Sequence, residues 1–469
     1  MKMGVLSSTA MAIALLSSGC THADVAPPAA SFAIPDQWAQ SDPAPISVDI
    51  TDYWLLLDDP LLTQLVEASI ANNLDLAQSA ARLDQSRARL VQARSSFLPS
   101  VSGSGRVSRD LGDLSTNQFG FSLGADASWE LDLFGQISGN VNAAEADLLS
   151  AGYSLADLQR LIVGQVAISA INARSIAQQL EIARSTLAYQ EDNLRIARWR
   201  NQAGLVSSLD VEQARTQRAQ TAATIPSLES SLTSTANAIS TLIGEPPGRV
   251  LTAFQAVKPI PQPALLAGFA PPADVLRRRP DVRGAEANLL ASTARIGVAR
   301  AQLLPLVRLG GNIGTNSLGI SNLFDVLTSS VFASVSQLIF DGGRTQAQID
   351  SAEAGARGAL AAWEQSILGA LEDVESAAVD QRSADTRVGI INEALDAASN
   401  SAILARSQYQ AGLTDFQTLL SAENQLLSAR NQLVSAQADR ASAFVRLTQA
   451  LGGGWSEQDF PLPASDRTE

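Results

Sequence analysis

Between residues 118 and 131 apolar and polar side chains alternate without a break. Phe119, Phe121, Leu123, Ala125, Ala127, Trp129 and Leu131 fall on one side, and Gln118, Gly120, Ser122, Gly124, Asp126, Ser128 and Glu130 on the other. A period of two over that length predicts a strand with one apolar and one wet face. Its partner is the stretch 100–109, with Val101 and Val107 against Ser102, Ser104, Arg106 and Ser108, and Gly112-Asp113 lies in the connection. A second pair is predicted near 305–315 and 330–340. Val307, Leu309 and Ile313 share a face opposite Arg308 and Asn312, and Val331, Ala333 and Val335 alternate with Phe332, Ser334 and Ser336. Phe332 breaks the polar face of this last strand.

Elsewhere the spacing is helical. Leu61, Leu65, Val66, Ile70, Leu74, Leu76 and Leu83 predict a helix from Pro60 to Leu98, ended by Pro99. Two proline-free runs, Gln136 to Ala203 and Thr345 to Ala411, predict helices each ~100 Å long. Both end in Ala-Gly-Leu, where glycine takes the left-handed conformation that stops a helix. Shorter helices follow at 208–243 and 414–451. In the last one Leu419, Leu426 and Leu433 form one line and Leu420, Leu427 and Val434 another, the seam of a coiled coil.

The order of elements repeats. Leu98-Pro99 returns as Leu304-Pro305, Leu133-Phe134 as Ile339-Phe340, Gln202-Ala203-Gly204-Leu205 as Gln410-Ala411-Gly412-Leu413, and Leu242-Ile243-Gly244 as Ala450-Leu451-Gly452. The offsets are 206, 206, 208 and 208 residues, too long for one unit of a solenoid. The chain is therefore an internal duplication: a signal peptide over 1–19, a Pro- and Ala-rich tether over 20–58, a first repeat over 59–244, a connector over 245–280, a second repeat over 281–452 and a tail over 453–469. The connector, with eight prolines, is expected to be non-helical.

The first residues carry Lys2, then a short apolar run to Leu16, then Ser17-Ser18-Gly19 and Cys20. That run is too short for a permanent membrane helix and reads as a signal. Cys20 is the only cysteine, so no internal disulfide exists; placed straight after small residues at the end of the signal it resembles the acylated cysteine of bacterial lipoproteins, with outer-membrane lipid as its surroundings, the alternative being an ordinary cleaved signal with an incidental cysteine. No later stretch approaches ~20 apolar residues, so entry into a membrane must be as β-strands. Four strands cannot close a barrel, so the chain must oligomerise. Two copies give eight strands and a filled interior; three give twelve and a wet lumen, which the polar face favours.

Composition narrows the chemistry. With 33 basic and 47 acidic residues the net charge is −14, which disfavours nucleic acid as a partner. The single histidine, His22, lies in the tether, which removes His-based triads and most zinc sites. No phosphate-cradling glycine loop is present, and Glu372, Asp373 and Glu375 lie mid-helix as a solvated face or lumen wall. No enzyme, cofactor or metal is expected.

One segment carries a resemblance. Leu276-Arg277-Arg278-Arg279-Pro280-Asp281-Val282-Arg283-Gly284-Ala285-Glu286, followed by Arg295-Ile296-Gly297-Val298-Ala299-Arg300-Ala301, resembles the signature of NodT-type, TolC-like (OprM-like) outer-membrane factors of tripartite efflux systems. Asp281 also has a structural reading as a helix N-cap. The resemblance covers about residues 50–455. It implies a mainly α chain with a membrane β-barrel portion: a homotrimer whose four strands per chain form a 12-stranded β-barrel on an α-helical barrel. The implied partners are a periplasmic adaptor and an inner-membrane pump of the RND type, with the chain as passive exit duct for small molecules; the alternative is the duct of a type I protein secretion system. By the same resemblance Tyr409 is expected to bond Asp210 across the two Ala-Gly-Leu turns as a periplasmic gate. Thr414 stands where the family places a gate arginine and Ser421 where it places a pore-lining aspartate, leaving Asp415 and Gln417 to contribute. Gly204, Leu205, Gly412 and Leu413 are the implied adaptor-docking residues, six such turns per trimer.

Overall fold

The computed structural model describes residues 26, 28–39, 49–109, 119–263 and 270–457. The signal peptide, Cys20, His22, the Gly112-Asp113 connection, part of the tether and connector, and the tail beyond residue 457 lie outside the described residues. A 3-10 turn, Tyr53–Leu57, precedes α1 (Pro60–Asn72) and α2 (Leu74–Ser95). Strands β1 (Ser100–Arg109) and β2 (Phe119–Leu131) follow, then α3 (Gln136–Gln202) and α4 (Ser208–Leu242). The connector holds α5 (Arg249–Gln255) and α6 (Pro272–Arg278). The second half contributes α7 (Pro280–Ala301), β3 (Leu306–Ser317), β4 (Leu327–Ser336), α8 (Arg344–Gln410) and α9 (Phe416–Ala450). The duplication is literal in length: α3 and α8 have 67 residues each, α4 and α9 have 35.

Several boundaries differ from the sequence expectation, each for a local reason. The helix from Pro60 breaks at Asn73, which is extended; its side chain accepts from the N–H groups of Asp75 and Leu76 and so starts α2 afresh. The connector is not wholly non-helical, because α5 buries Val250 and Phe254 and α6 buries Val275 and Leu276, each on one face. Pro272 at the start of α6 sits where a proline costs no hydrogen bond. β4 ends at Ser336 rather than near 340 because Ser336 pairs with Leu306, the first residue of β3. One 18-residue window of α3 is apolar enough by composition to cross a membrane, against the sequence reading, but 61% of that window is buried.

The compact units do not follow the repeat. Of the described residues, one comprises those within Met1–Ser31, Arg82–Gly152 and Gly284–Gln365; the other comprises those within Phe32–Ala81, Tyr153–Arg283 and Ser366–Glu469. Each therefore draws on both copies.

The first unit holds a four-stranded antiparallel sheet in the order β1-β2-β3-β4. Val101 pairs with Ala127, Trp129 with Leu309, and Val307 with Val335, so paired side chains share a face. One face carries Val101, Val107, Phe121, Leu123, Trp129, Leu309, Ile313, Val331 and Val335. The other carries Ser102, Ser104, Arg106, Asp126, Ser128, Glu130, Arg308, Asn312, Ser330 and Ser334. Helical segments of this unit are tied by ion pairs, Arg94 to Glu145 at 2.6 Å and Arg300 to Glu353 at 2.8 Å.

The second unit has the larger apolar core, with Tyr53, Leu62, Ile171, Ile239, Phe254, Phe444 and Leu447 fully buried. Arg174, also fully buried, makes two 3.0 Å hydrogen bonds to Asp59 and stacks over the Phe254 ring at 5.3 Å. Asp59 in turn accepts from Leu61 and Leu62 and caps α1. One buried pair thus fixes α1 and α5 against α3, and removing either partner leaves the other charge buried and unpaired.

Candidate functional site

The two Ala-Gly-Leu turns have the same backbone. Gly204 and Gly412 both have φ +73°, the left-handed region that favours glycine. Leu205 N–H donates to the Arg200 carbonyl and Leu413 N–H to the Gln408 carbonyl, each at 2.9 Å. Those bonds satisfy the last carbonyls of α3 and α8. Leu205 is 73% exposed and Leu413 78%, so neither leucine is held by its own chain.

The helices that leave the turns are capped differently. Ser207 and Asp210 form a reciprocal capping box at the start of α4, with bonds of 3.4 and 3.3 Å. Asp415 caps α9 alone, accepting from Thr418 N–H at 2.8 Å. The Thr418 side chain and N–H hold the Asp415 carboxyl below the usual carboxylate range. Thr414 is half-buried in the turn, while Gln417 and Ser421 are exposed on the first turns of α9.

The expected Tyr409–Asp210 hydrogen bond is not made within this chain. Asp210 is engaged in its capping box, and the Tyr409 hydroxyl is buried without a hydrogen-bond partner. Tyr409 instead packs edge-on against Phe416 at 5.7 Å, in a cluster with Leu194, Ala197, Ala214, Ala405 and Leu419. The link between the turns comes from Arg200, which the sequence reading did not single out. Its guanidinium lies 4.6 Å over the Tyr409 ring and donates to the Tyr409 and Gln410 carbonyls at 3.3 and 3.4 Å. An arginine of α3 therefore caps the end of α8.

Two further polar contacts join the helices behind the turns. Gln217 of α4 and Asn424 of α9 exchange amide hydrogen bonds at 2.7 and 3.4 Å. Glu423 of α9 receives Asn193 of α3 at 2.9 Å and Arg406 of α8 at 3.2 Å. Polar residues at helical spacing beside an apolar stripe were the available signal for these partners.

The arginine-rich motif ahead of α7 is structural. Arg279 is buried and bonds Asp281 at 3.0 and 2.6 Å, Asp373 at 2.9 Å and the Ala450 carbonyl at 3.2 Å. It thereby fastens the start of α7 to α8 and to the end of α9. Asp281 is not an N-cap: α7 begins at Pro280, and Asp281 turns back onto Arg279. Burial pushes the Asp281 carboxyl up, but the hydrogen bonds and charge of Arg279 prevail and hold it below the usual range.

Known proteins resemble this chain over most of its length. The chain matches the family described as outer membrane efflux protein twice, over residues 65–245 and 272–453, one match for each copy of the repeat. It is 32% identical over 422 residues to Nodulation protein T of Rhizobium leguminosarum bv. trifolii, covering 87% of this chain and 89% of that protein. It is 30% identical over 453 residues to the pyoverdine export outer membrane protein OpmQ of Pseudomonas putida, covering 93% and 95%. Among solved structures, the outer-membrane channel OprN superposes with a TM-score of 0.82 at 32% identity, over 92% of this chain and 99% of that one.

Proposed function

The chain belongs to the outer membrane efflux protein family, and we propose from its strands and turns what it carries, how it is anchored and how it is held shut. It is an outer-membrane channel, the exit duct of a tripartite efflux system, and a transport protein rather than an enzyme. It works as a homotrimer with a periplasmic adaptor and an RND-type inner-membrane pump.

The observation that carries the duct reading is the four-stranded sheet with two unlike faces and two open edges, β1 and β4. An open edge in lipid leaves unpaired backbone groups costing several kcal/mol each. Three copies, edge to edge, close twelve strands with the apolar face toward lipid and the serine- and glycine-rich face toward water. The cargo we propose is small molecules, in line with the relative named for pyoverdine export. Deleting the gene should raise cellular accumulation of small toxic compounds or dyes, and complementation should reverse it. Unchanged accumulation together with loss of a secreted protein from the medium would move the chain to type I secretion.

Cys20 is proposed as an acylated anchor, each buried methylene adding ~0.8 kcal/mol of membrane affinity. Mass spectrometry should find a lipid-modified N-terminus that Cys20→Ser removes; an unmodified wild-type Cys20 refutes the anchor.

The two turns are proposed as the gate and as the docking points. Arg200, reaching from the end of α3 onto the end of α8, supplies the inter-turn link in place of a Tyr409–Asp210 bond, and Asp415 and Gln417 are the further polar groups proposed for the gate. Gly204 and Gly412 leave the backbone open to an adaptor hairpin, and the exposed Leu205 and Leu413 offer it apolar contact.

A further inference from the structure

The wet face of the sheet is built almost entirely of small and polar side chains. Reading the register inward-facing row by row, Asp126 stands beside Asn312 and Ser330, Ser128 beside Gly310 and Phe332, and Glu130 beside Arg308 and Ser334. Apart from Leu306 at the first residue of β3, Phe332 is the only large apolar side chain on this face among the described residues. It is half exposed, although it has somewhere to lie. Its ring crosses the neighbouring strand over Gly310. A Cβ at position 310 would come within 2.4 Å of the ring's Cζ and 2.7 Å of its Cε2. Gly310 is thus the recess that lets the ring lie along the wall instead of standing into the lumen.

The surroundings of the ring are polar and anchored. On one side Ser330 Oγ donates to Asn312 Oδ1 at 2.8 Å. On the other, Arg308 meets Glu130 at 3.5 Å, so the arginine's charge is offset. Asp126, exposed one row along and two strands across, adds a negative charge at ~12 Å from Phe332 by strand spacing and rise. The repeat sharpens the contrast, because the residue 206 positions before Phe332 is Asp126 itself. One copy of the duplicated strand supplies an acid where the other supplies an aromatic ring.

We propose that Phe332 and Asp126 form a transit subsite for planar aromatic cations in the lumen, three per trimer. A flat ring held along a wet wall offers a stacking surface without closing the passage, and an aromatic face also attracts positive charge. The carboxylate one row away favours the cation over a neutral or anionic ring. Such a subsite is weak by design: a duct needs binding that admits cargo and also releases it. This inference rests on the small-molecule reading of the cargo.

The bland role for Phe332 is to cover Gly310 and stiffen the sheet, as aromatic residues do across from strand glycines. Phe332→Leu separates the two, because leucine still covers the glycine but has no π face. The experiment is a fluorescence titration of the detergent-purified trimer with proflavine, a planar cation, and in parallel with tetraethylammonium as a non-planar competitor. Wild type should bind proflavine saturably, close to three per trimer, with tetraethylammonium competing poorly. Phe332→Leu should weaken binding about tenfold and Phe332→Tyr should retain it, both trimers melting near the wild-type temperature. Asp126→Asn should weaken proflavine by a smaller factor. Absence of saturable binding by wild type, or unchanged binding by Phe332→Leu, overturns the subsite. If Phe332→Leu melts early, the comparison passes to Phe332→Tyr against Asp126→Asn: equal loss in both, or in neither, also overturns it. Because binding is measured on the isolated trimer, its failure leaves the cargo reading to the accumulation assay.

Discussion

The two Ala-Gly-Leu turns share a backbone and divide the work of holding it. Gly204 and Gly412 have the same φ of +73°, and the bonds that close α3 and α8 have the same length, 2.9 Å. Their side chains then part company. The first turn is self-contained: the Asn201 amide donates to the Val206 carbonyl at 3.0 Å, and Ser207 and Asp210 close a capping box. The second has a single cap, Asp415, and borrows the rest from Arg200 of the first. Duplication preserves what any helix-stopping turn needs, a residue free to adopt positive φ. It does not preserve the long-range contacts, because each copy faces a different neighbour. A symmetric backbone with asymmetric side chains suits both proposals, a docking surface repeated six times and a latch made once per protomer.

The largest effect should come from blocking the shared feature. Gly204→Trp and Gly412→Trp place a bulky group where a Cβ meets nothing within 4 Å, so the cost to the fold is confined to backbone strain of roughly 1–2 kcal/mol. Each should abolish adaptor cross-linking and restore sensitivity to exported compounds while trimers still assemble. If only one variant does so, the turns are not equivalent docking points. If both export normally, docking lies elsewhere.

A smaller effect should follow from breaking the asymmetry. Arg200→Met removes two hydrogen bonds and a cation–π contact, about 1–2 kcal/mol together, from the link between α3 and α8. Single-channel recording should show higher conductance for Arg200→Met. Tyr409→Phe should match wild type, since the Tyr409 hydroxyl bonds nothing in the chain. The reverse pattern would return the latch to Tyr409, through a contact made in the trimer.

What the sequence disclosed and what it withheld divide along the same line. The strand pairs, the 67- and 35-residue helices and both turns were legible because each is written in local periodicity or in a glycine at a helix end. Even the exception on the wet face, Phe332, was visible as a break in alternation. The partners were not legible. Asp281 after proline looks like an N-cap, and only the position of α8 and the end of α9 shows that Arg279 claims it. Nor could periodicity show that Asp210 is occupied by Ser207 three residues away, or that Arg200 faces Tyr409 across 209 positions of sequence. The short helices α5 and α6 were hidden by the prolines around them, because each is only seven residues long and is held by burial rather than propensity.

Cap removal should act more locally. Ser207→Ala should cost about 1 kcal/mol at the start of α4, read as faster hydrogen exchange of the amides of Leu209 and Asp210, because a hydroxyl acceptor and its half of the capping box are lost. The start of α9 should be unchanged in that variant, since its cap is its own. If exchange rises equally at both helix starts, the first turn is supporting the second through more than Arg200.

The smallest effect distinguishes the two caps by charge. At the N-cap position itself α4 presents the Ser207 hydroxyl and α9 the Asp415 carboxylate, so of the two N-cap acceptors only the one at α9 loses its charge on protonation. The Asp415 carboxyl lies below the ordinary range because it is hydrogen-bonded by Thr418, and a group with a lowered folded value stabilises in its ionised form. Its contribution is therefore complete above the unfolded carboxylate pKa of ~3.9 and fades as pH falls through that value toward the lowered one. Asp415→Asn keeps a good capping oxygen without the titration. At pH 6 the wild type should protect the Thr418 and Leu419 amides better than Asp415→Asn does, because the charge also favours the positive end of the helix. At pH 3 that difference should shrink, both proteins being compared at the same pH so that intrinsic exchange cancels. A difference that is the same at both values would mean that the Asp415 charge adds nothing to its role as an acceptor, and that the two turns differ in geometry alone.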